Sequence, residues 1–157
     1  MEVCMASTTQ PITVERQDKQ EKVVCDEIKR AYEFLAEEGF RPSYEEDDTV
    51  KFRVEGVTAR LDRLDAGYRI YIWVLGELPE EQRPVSYWTA NYINLTQPFV
   101  RAGVTEDNSL IVSYSMMGSD ISQFLETLID SVNRLLFAGR KANQLFNDQL
   151  KPKPLNS

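Results

Sequence analysis

The sequence predicts an α+β fold in one domain, an antiparallel sheet with helices packed on one face, in the order α-β-β-β-α-β-β-α. Three observations lead there. The apolar period switches from 3.6 to 2 and back along the chain, marking helices and strands in turn. The strands fall into a group of three and a group of two, joined by turns too short for parallel crossovers. Finally, 157 residues with 42% apolar side chains suffice for one core, and no linker divides them. The domain is placed at residues 19–147. An N-terminal extension (1–18) and a C-terminal tail (148–157) are expected to be flexible.

The first element is helical. Val24, Ile28, Ala31, Tyr32 and Leu35 follow the i, i+4, i+7, i+8, i+11 spacing of one apolar stripe. This predicts a helix over about residues 19–38, with Cys25 inside it. Gly39 is placed to stop the helix in a left-handed conformation, with Phe40 folding back on the last turn. Val50, Phe52 and Val54 then alternate with charged residues, as do Val57, Ala59 and Leu61 beyond a tight Glu55-Gly56 turn. Asp65-Ala66-Gly67 predicts a three-residue hairpin loop with Gly67 at positive φ. The third strand, Tyr68 to Leu75, is apolar on both faces. Ile70, Ile72 and Val74 point one way; Tyr71, Trp73 and Leu75 point the other. Such a strand is covered twice, or it presents one face to a partner.

Pro84 suits a first helical turn, and Val85, Trp88, Tyr92, Leu95 and Phe99 form the apolar stripe of a helix over about residues 85–96. A hairpin follows, Val100 to Val104 and Leu110 to Met116, around Glu106-Asp107-Asn108. Gly118-Ser119-Asp120 opens one long final helix, with Ser119 as candidate N-cap. Ile121, Phe124, Leu125, Leu128, Val132, Leu135, Leu136 and Ala142 line its buried side. Lys151-Pro152-Lys153-Pro154 cannot continue a helix.

Composition excludes more functions than it suggests. Eighteen basic against 25 acidic side chains leave a net charge of −7, which argues against a nucleic-acid partner. The absence of histidine removes the commonest general base and the commonest metal ligand. The longest apolar run, Ile70 to Leu75, is far short of the ~20 residues of a membrane span. Met1 to Val14 lacks the features of a signal peptide. Cys4 and Cys25 are expected to be free thiols in a reducing cytoplasm.

Several clusters carry no chemistry on inspection. Glu45-Glu46-Asp47-Asp48 lacks the spacing and glycine of a calcium loop and predicts a solvated turn. Glu77, Glu80 and Glu81 predict a surface loop. Cys25 has no histidine to activate it and fits a packing thiol. Ser113 and Ser115 have no base partner. No phosphate-cradling glycine loop occurs. The sequon Asn94-Leu95-Thr96 falls inside a helix and is taken as accidental. No catalytic, cofactor or metal residue is predicted. Tyr71, Trp73 and Leu75 remain as a candidate protein-binding set, unless the chain's own tail covers them.

A set of strings stands out: Glu37-Glu38-Gly39-Phe40, the acidic turn Glu45 to Asp48, and the strand Thr49 to Gly56. Ala90-Asn91-Tyr92-Ile93-Asn94 and the hairpin Val100 to Met116 add to them. Together these strings resemble the YbjN-like family, which is bacterial and related in fold to type III secretion chaperones. The resemblance spans about residues 19–147, and none of its motifs is catalytic. It implies a small acidic cytoplasmic protein, often a homodimer, that binds a protein partner or client and transforms no substrate. A chaperone-like or adaptor-like module is the first expectation. A small-molecule-sensing regulatory domain is the alternative, since some family members are labelled sensory transduction regulators. The polar N-terminal extension and the Lys-Pro tail depart from the family pattern.

Overall fold

A computed structural model describes residues 24–45, 48–118 and 120–153. Helix α1 (Asp26–Glu37) buries Ile28, Ala31 and Leu35, the stripe the spacing predicts. Cys25 stands at its N-cap with extended backbone rather than inside the helix, and residues 19–23 of the expected helix lie outside the described residues. The C-terminus closes as a Schellman motif. Phe40 N–H donates to the Leu35 carbonyl at 3.0 Å and Gly39 N–H to that of Ala36 at 3.1 Å, with Gly39 at φ 88°. The Phe40 ring then meets Phe52 edge-on at 5.2 Å, which ties the helix end to the sheet.

Six antiparallel strands form one sheet: β1 (Ser43–Glu45), β2 (Thr49–Val54), β3 (Val57–Leu64), β4 (Gly67–Leu75), β5 (Arg101–Val104) and β6 (Leu110–Met117). Their order is β1-β2-β3-β4-β6-β5. Strand β1 corrects the sequence reading. Glu45 pairs with Thr49 instead of sitting in a solvated turn, and three residues are too few to show a period. Glu46 and Asp47 of that acidic run lie outside the described residues. Glu55 and Gly56, at φ 48° and 81°, make the left-handed two-residue turn that matches strand twist. The next hairpin corrects another expectation. Leu64 pairs with Gly67, so the loop has two residues, and Gly67 is not left-handed. A Cβ there would overlap the Met116 carbonyl oxygen, so glycine permits close approach of β4 to β6.

Helix α2 (Arg83–Thr96) follows a short 3₁₀ turn at Glu80–Gln82. The single final helix of the sequence reading is two, α3 (Ile121–Glu126) and α4 (Leu128–Leu150). Thr127 breaks it: its N–H and its hydroxyl both donate to the Phe124 carbonyl, at 3.2 and 3.0 Å. Asp120 caps α3 by accepting from Ser122 N–H at 2.9 Å; Ser119, the candidate cap, lies outside the described residues. Helix α4 continues to Leu150, past the boundary placed at residue 147. It approaches β4 closely at Gly139, where a Cβ would stand 3.1 Å from Ile72 Cδ1.

The core lies between the sheet and the helices. Val50, Phe52, Ala59, Leu61, Ile70 and Val112 are buried on the helix side, and Phe124 and Leu128 meet them from the other layer. The expected α+β architecture holds. Strand edges are short, and one is closed by a side chain. The Asn94 amide accepts from Ala102 N–H at 2.7 Å and donates to the Ala102 carbonyl at 3.1 Å. It thereby occupies an outward-facing peptide group of β5 that another strand could pair with.

Candidate protein-binding surfaces

Strand register decides what the second sheet face carries. Residues opposite one another point to the same side, so Tyr71 shares a face with Arg60, Lys51, Ser113 and Arg101. Among the described residues no helix covers this face, and Trp73 is 40% exposed. Acid, cation and ring alternate across it. Arg60 donates to both Glu45 oxygens, at 2.8 and 3.3 Å, while its guanidinium lies 4.5 Å over the Trp73 ring. Arg69 repeats the device one row along, forked onto Asp62 at 3.1 and 2.5 Å and 4.8 Å over Tyr71. The two rings meet edge-on at 5.4 Å. Arg60, followed by Lys51 at 3.0 Å, holds the Glu45 carboxyl below its usual range. Burial among these groups raises the Tyr71 phenol.

The three candidate residues are not all brought together. Tyr71 and Trp73 stand side by side on the open face. Leu75 does not join them. A bulge between Trp73 and Leu75 shifts the register so that Leu75 pairs with the fully buried Leu110 and packs against the core. Simple alternation cannot foresee that switch, because one extra residue reverses the side-chain phase.

A second surface escaped the sequence reading of roles. Helix α2 buries Ser86, Thr89, Ala90 and Ile93, and so turns the aromatic stripe outward. Leu95 is 77% exposed, Phe99 72% and Tyr87 54%. Burial of the small polar face is possible because its hydroxyls are already satisfied. Ser86 donates to the Gln82 carbonyl at 3.3 Å and Thr89 to that of Val85 at 2.8 Å. The Trp88 and Tyr92 rings lie 5.6 Å apart, tilted by 32°. Phe99 adopts φ 66°, a strained conformation for a bulky side chain, and the Arg134 guanidinium from α4 lies 5.5 Å from its exposed ring. Exposed Phe137 of α4 borders the same region, beside a depression of about 310 Å³ with Pro98 and Val100. The signal was in the sequence: Pro84 to Val100 contains no charged residue, in a chain that is 27% charged.

The remaining candidates stay apart. Ser113 lies on the open face and donates to the Arg101 carbonyl at 3.3 Å. Cys25 is a half-buried free thiol. Glu80 pairs with Arg83, which lowers its carboxyl. Among the described residues no cluster of acids and cysteines is placed to hold a metal ion, and no helix is long and apolar enough to cross a membrane.

No protein-family model matches the sequence, and no curated protein matches it either. Solved structures do match in shape. YbjN from E. coli is similar at TM-score 0.59 and 18% identity, over 81% of this chain and 96% of that one. An uncharacterized protein from Methanothermobacter thermautotrophicus is similar at 0.54 and 15%, over 80% and 99%. A chain of the HopA1–SchA chaperone–effector complex is similar at 0.54 and 11%, over 74% and 94%. At these identities the likeness concerns the fold. The chain has the YbjN-like, secretion-chaperone-related fold that its strings resemble.

Proposed function

We propose that the chain is a non-catalytic protein-binding module, chaperone-like or adaptor-like, that pairs with a second copy through the outer face of α2. One observation carries this reading: a surface helix that has no charged residue after its first position, Arg83, and exposes Tyr87, Trp88 and Leu95. Interface centres are depleted of charge and rich in aromatic residues. A two-fold contact brings a patch against itself, so an uncharged patch meets no like-charge repulsion. The fold it shares with a chain of a chaperone–effector complex supports the wider role. The bacterial cytoplasm is the compartment this reading implies, in keeping with the free Cys25 thiol and the E. coli relative in fold. A small-molecule sensor would need a cavity between sheet and helices. The depression of about 200 Å³ between β4 and α4, beside Ile72, Val74, Leu136 and Gly139, is where such a ligand would enter, and its rim charges, Glu55 and Arg140, are paired with each other at 2.9 Å.

Sedimentation velocity on the full chain and on Leu95→Asp tests the pairing. The wild type is expected to sediment as a dimer. The substitution enters the contact twice and is expected to weaken pairing well over tenfold, with the far-UV spectrum unchanged. A monomeric wild type, or a Leu95→Asp chain that still pairs, overturns the assignment.

A further inference from the structure

The open sheet face differs in charge from the rest of the molecule. Its strand residues carry Lys51, Arg53, Arg60, Arg69 and Arg101 against Glu45 and Asp62, a local net of +3. The whole chain carries −7, which leaves −10 elsewhere. Two of these cations, Arg53 and Arg101, have no ion-pair partner among the described residues, and both are exposed. Register sets Lys51, Arg60, Tyr71, Ser113 and Arg101 in one row across five strands. Four inter-strand steps make that row roughly 19 Å long, the span of about six extended residues.

We infer that this face docks an extended acidic segment of a partner protein, laid across the strands along the row from Lys51 to Arg101. The inference rests on the protein-binding reading and names the chemistry of the partner. Carboxylates at the segment's ends meet Arg53, beside Lys51 on β2, and Arg101 on β5, and its apolar side chains lie on Tyr71 and Trp73. Arg60 and Arg69, forked onto their own acids, hold the two rings in place beforehand, so little order is lost on docking. The depression beside Trp73 has Glu77 and Asp107 on its rim, which rejects acids there and sets the direction of the segment. A nucleic acid fits less well. Its affinity comes from many phosphate contacts, and here two carboxylates interrupt the face while −10 surrounds it.

Fluorescence anisotropy with the full chain tests this. The probes are a labelled dodecapeptide rich in aspartate and glutamate with a central phenylalanine, its lysine counterpart, and a thymidine dodecamer. The acidic peptide is expected to bind, and to weaken at least tenfold as salt rises and the Debye length shrinks from about 14 to 4 Å. Arg101→Glu and Arg53→Glu should each lower affinity at least tenfold with the far-UV spectrum unchanged. Leu95→Asp should leave peptide affinity unchanged. No binding of the acidic peptide, equal binding of the lysine peptide, tighter binding of the thymidine dodecamer, or indifference to Arg101→Glu overturns the inference. Peptide binding lost in Leu95→Asp but kept in Arg101→Glu moves the partner to α2: the protein-binding reading then stands and this inference falls. A monomeric wild type that still binds the acidic peptide shows the opposite.

Discussion

Glu45 is one carboxylate answering two cations, and its place at the end of a three-residue strand makes it the anchor of the open face. Its oxygens accept from Arg60 and Lys51, and the same Arg60 rests on Trp73. The carboxyl is held below its ordinary value near 4.5, Arg60 being the larger cause. The folded state therefore binds a proton there less readily than the unfolded chain. The resulting stabilisation is fully present above pH 4.5 and is lost as pH falls through the lower, folded value. Glu45→Gln should cost about 0.2–1 kcal/mol at pH 7, the range of a partly exposed ion pair. At a pH below that lower, folded value the variant and the wild type should converge. Paired urea melts at the two pH values measure this, and a gap that stays constant would show that Glu45 contributes through packing instead. At this scale the sequence was legible only in part. Gly39 announced its left-handed stop, but Gly67 proved to serve close approach and Leu75 to face the core, because each depends on a neighbouring strand.

Elements with strong period were legible almost to the residue. The strands from Thr49 to Leu75 and the hairpin from Arg101 to Met117 alternate because one side is buried under helices. Helix α2 was legible as a helix but not in its rotation. Its larger residues suggested a buried stripe, whereas closeness to α4 and β5 favours the smaller Ser86, Thr89 and Ala90. The break at Thr127 was invisible for a related reason: the apolar stripe runs on through both helices, and the interruption is a hydrogen-bond choice by one threonine. Helix α4 nevertheless carries the core as its stripe predicts. Leu128 is fully buried at its first turn. Leu128→Ala should cost ~2–5 kcal/mol, a large share of the roughly 5–15 kcal/mol that holds a domain together. Glu126→Ala, two residues earlier and exposed, should change the melting midpoint little. Equal midpoints for the two variants would mean that α4 is not seated as described.

The molecule as a whole divides its surfaces by layer. Helices cover one sheet face, none of the described residues forms an element over the opposite face, and α2 shows its uncharged side beyond the helical layer. Sequence alone could propose an uncovered face from the doubly apolar third strand, but could not decide it, since covering depends on where every other element packs. Trp73 tests the division because it touches neither the core nor α2. Its ring rests on the sheet with Arg60 above it and Tyr71 at its edge. Truncation removes a cation–π contact and an edge contact, worth about 1–2 kcal/mol together at a half-open site. Burial of Ile70 and Ile72 on the other side of β4 is untouched. Trp73→Ala should therefore stay folded in urea melts and keep the wild-type sedimentation coefficient, while binding the acidic dodecapeptide at least tenfold more weakly. If part of the chain instead covered the ring, the loss would have the size of a core aromatic, ~3–5 kcal/mol. A melt shifted that far, with peptide affinity intact, would close the open face and leave α2 as the surface through which this fold meets its partners.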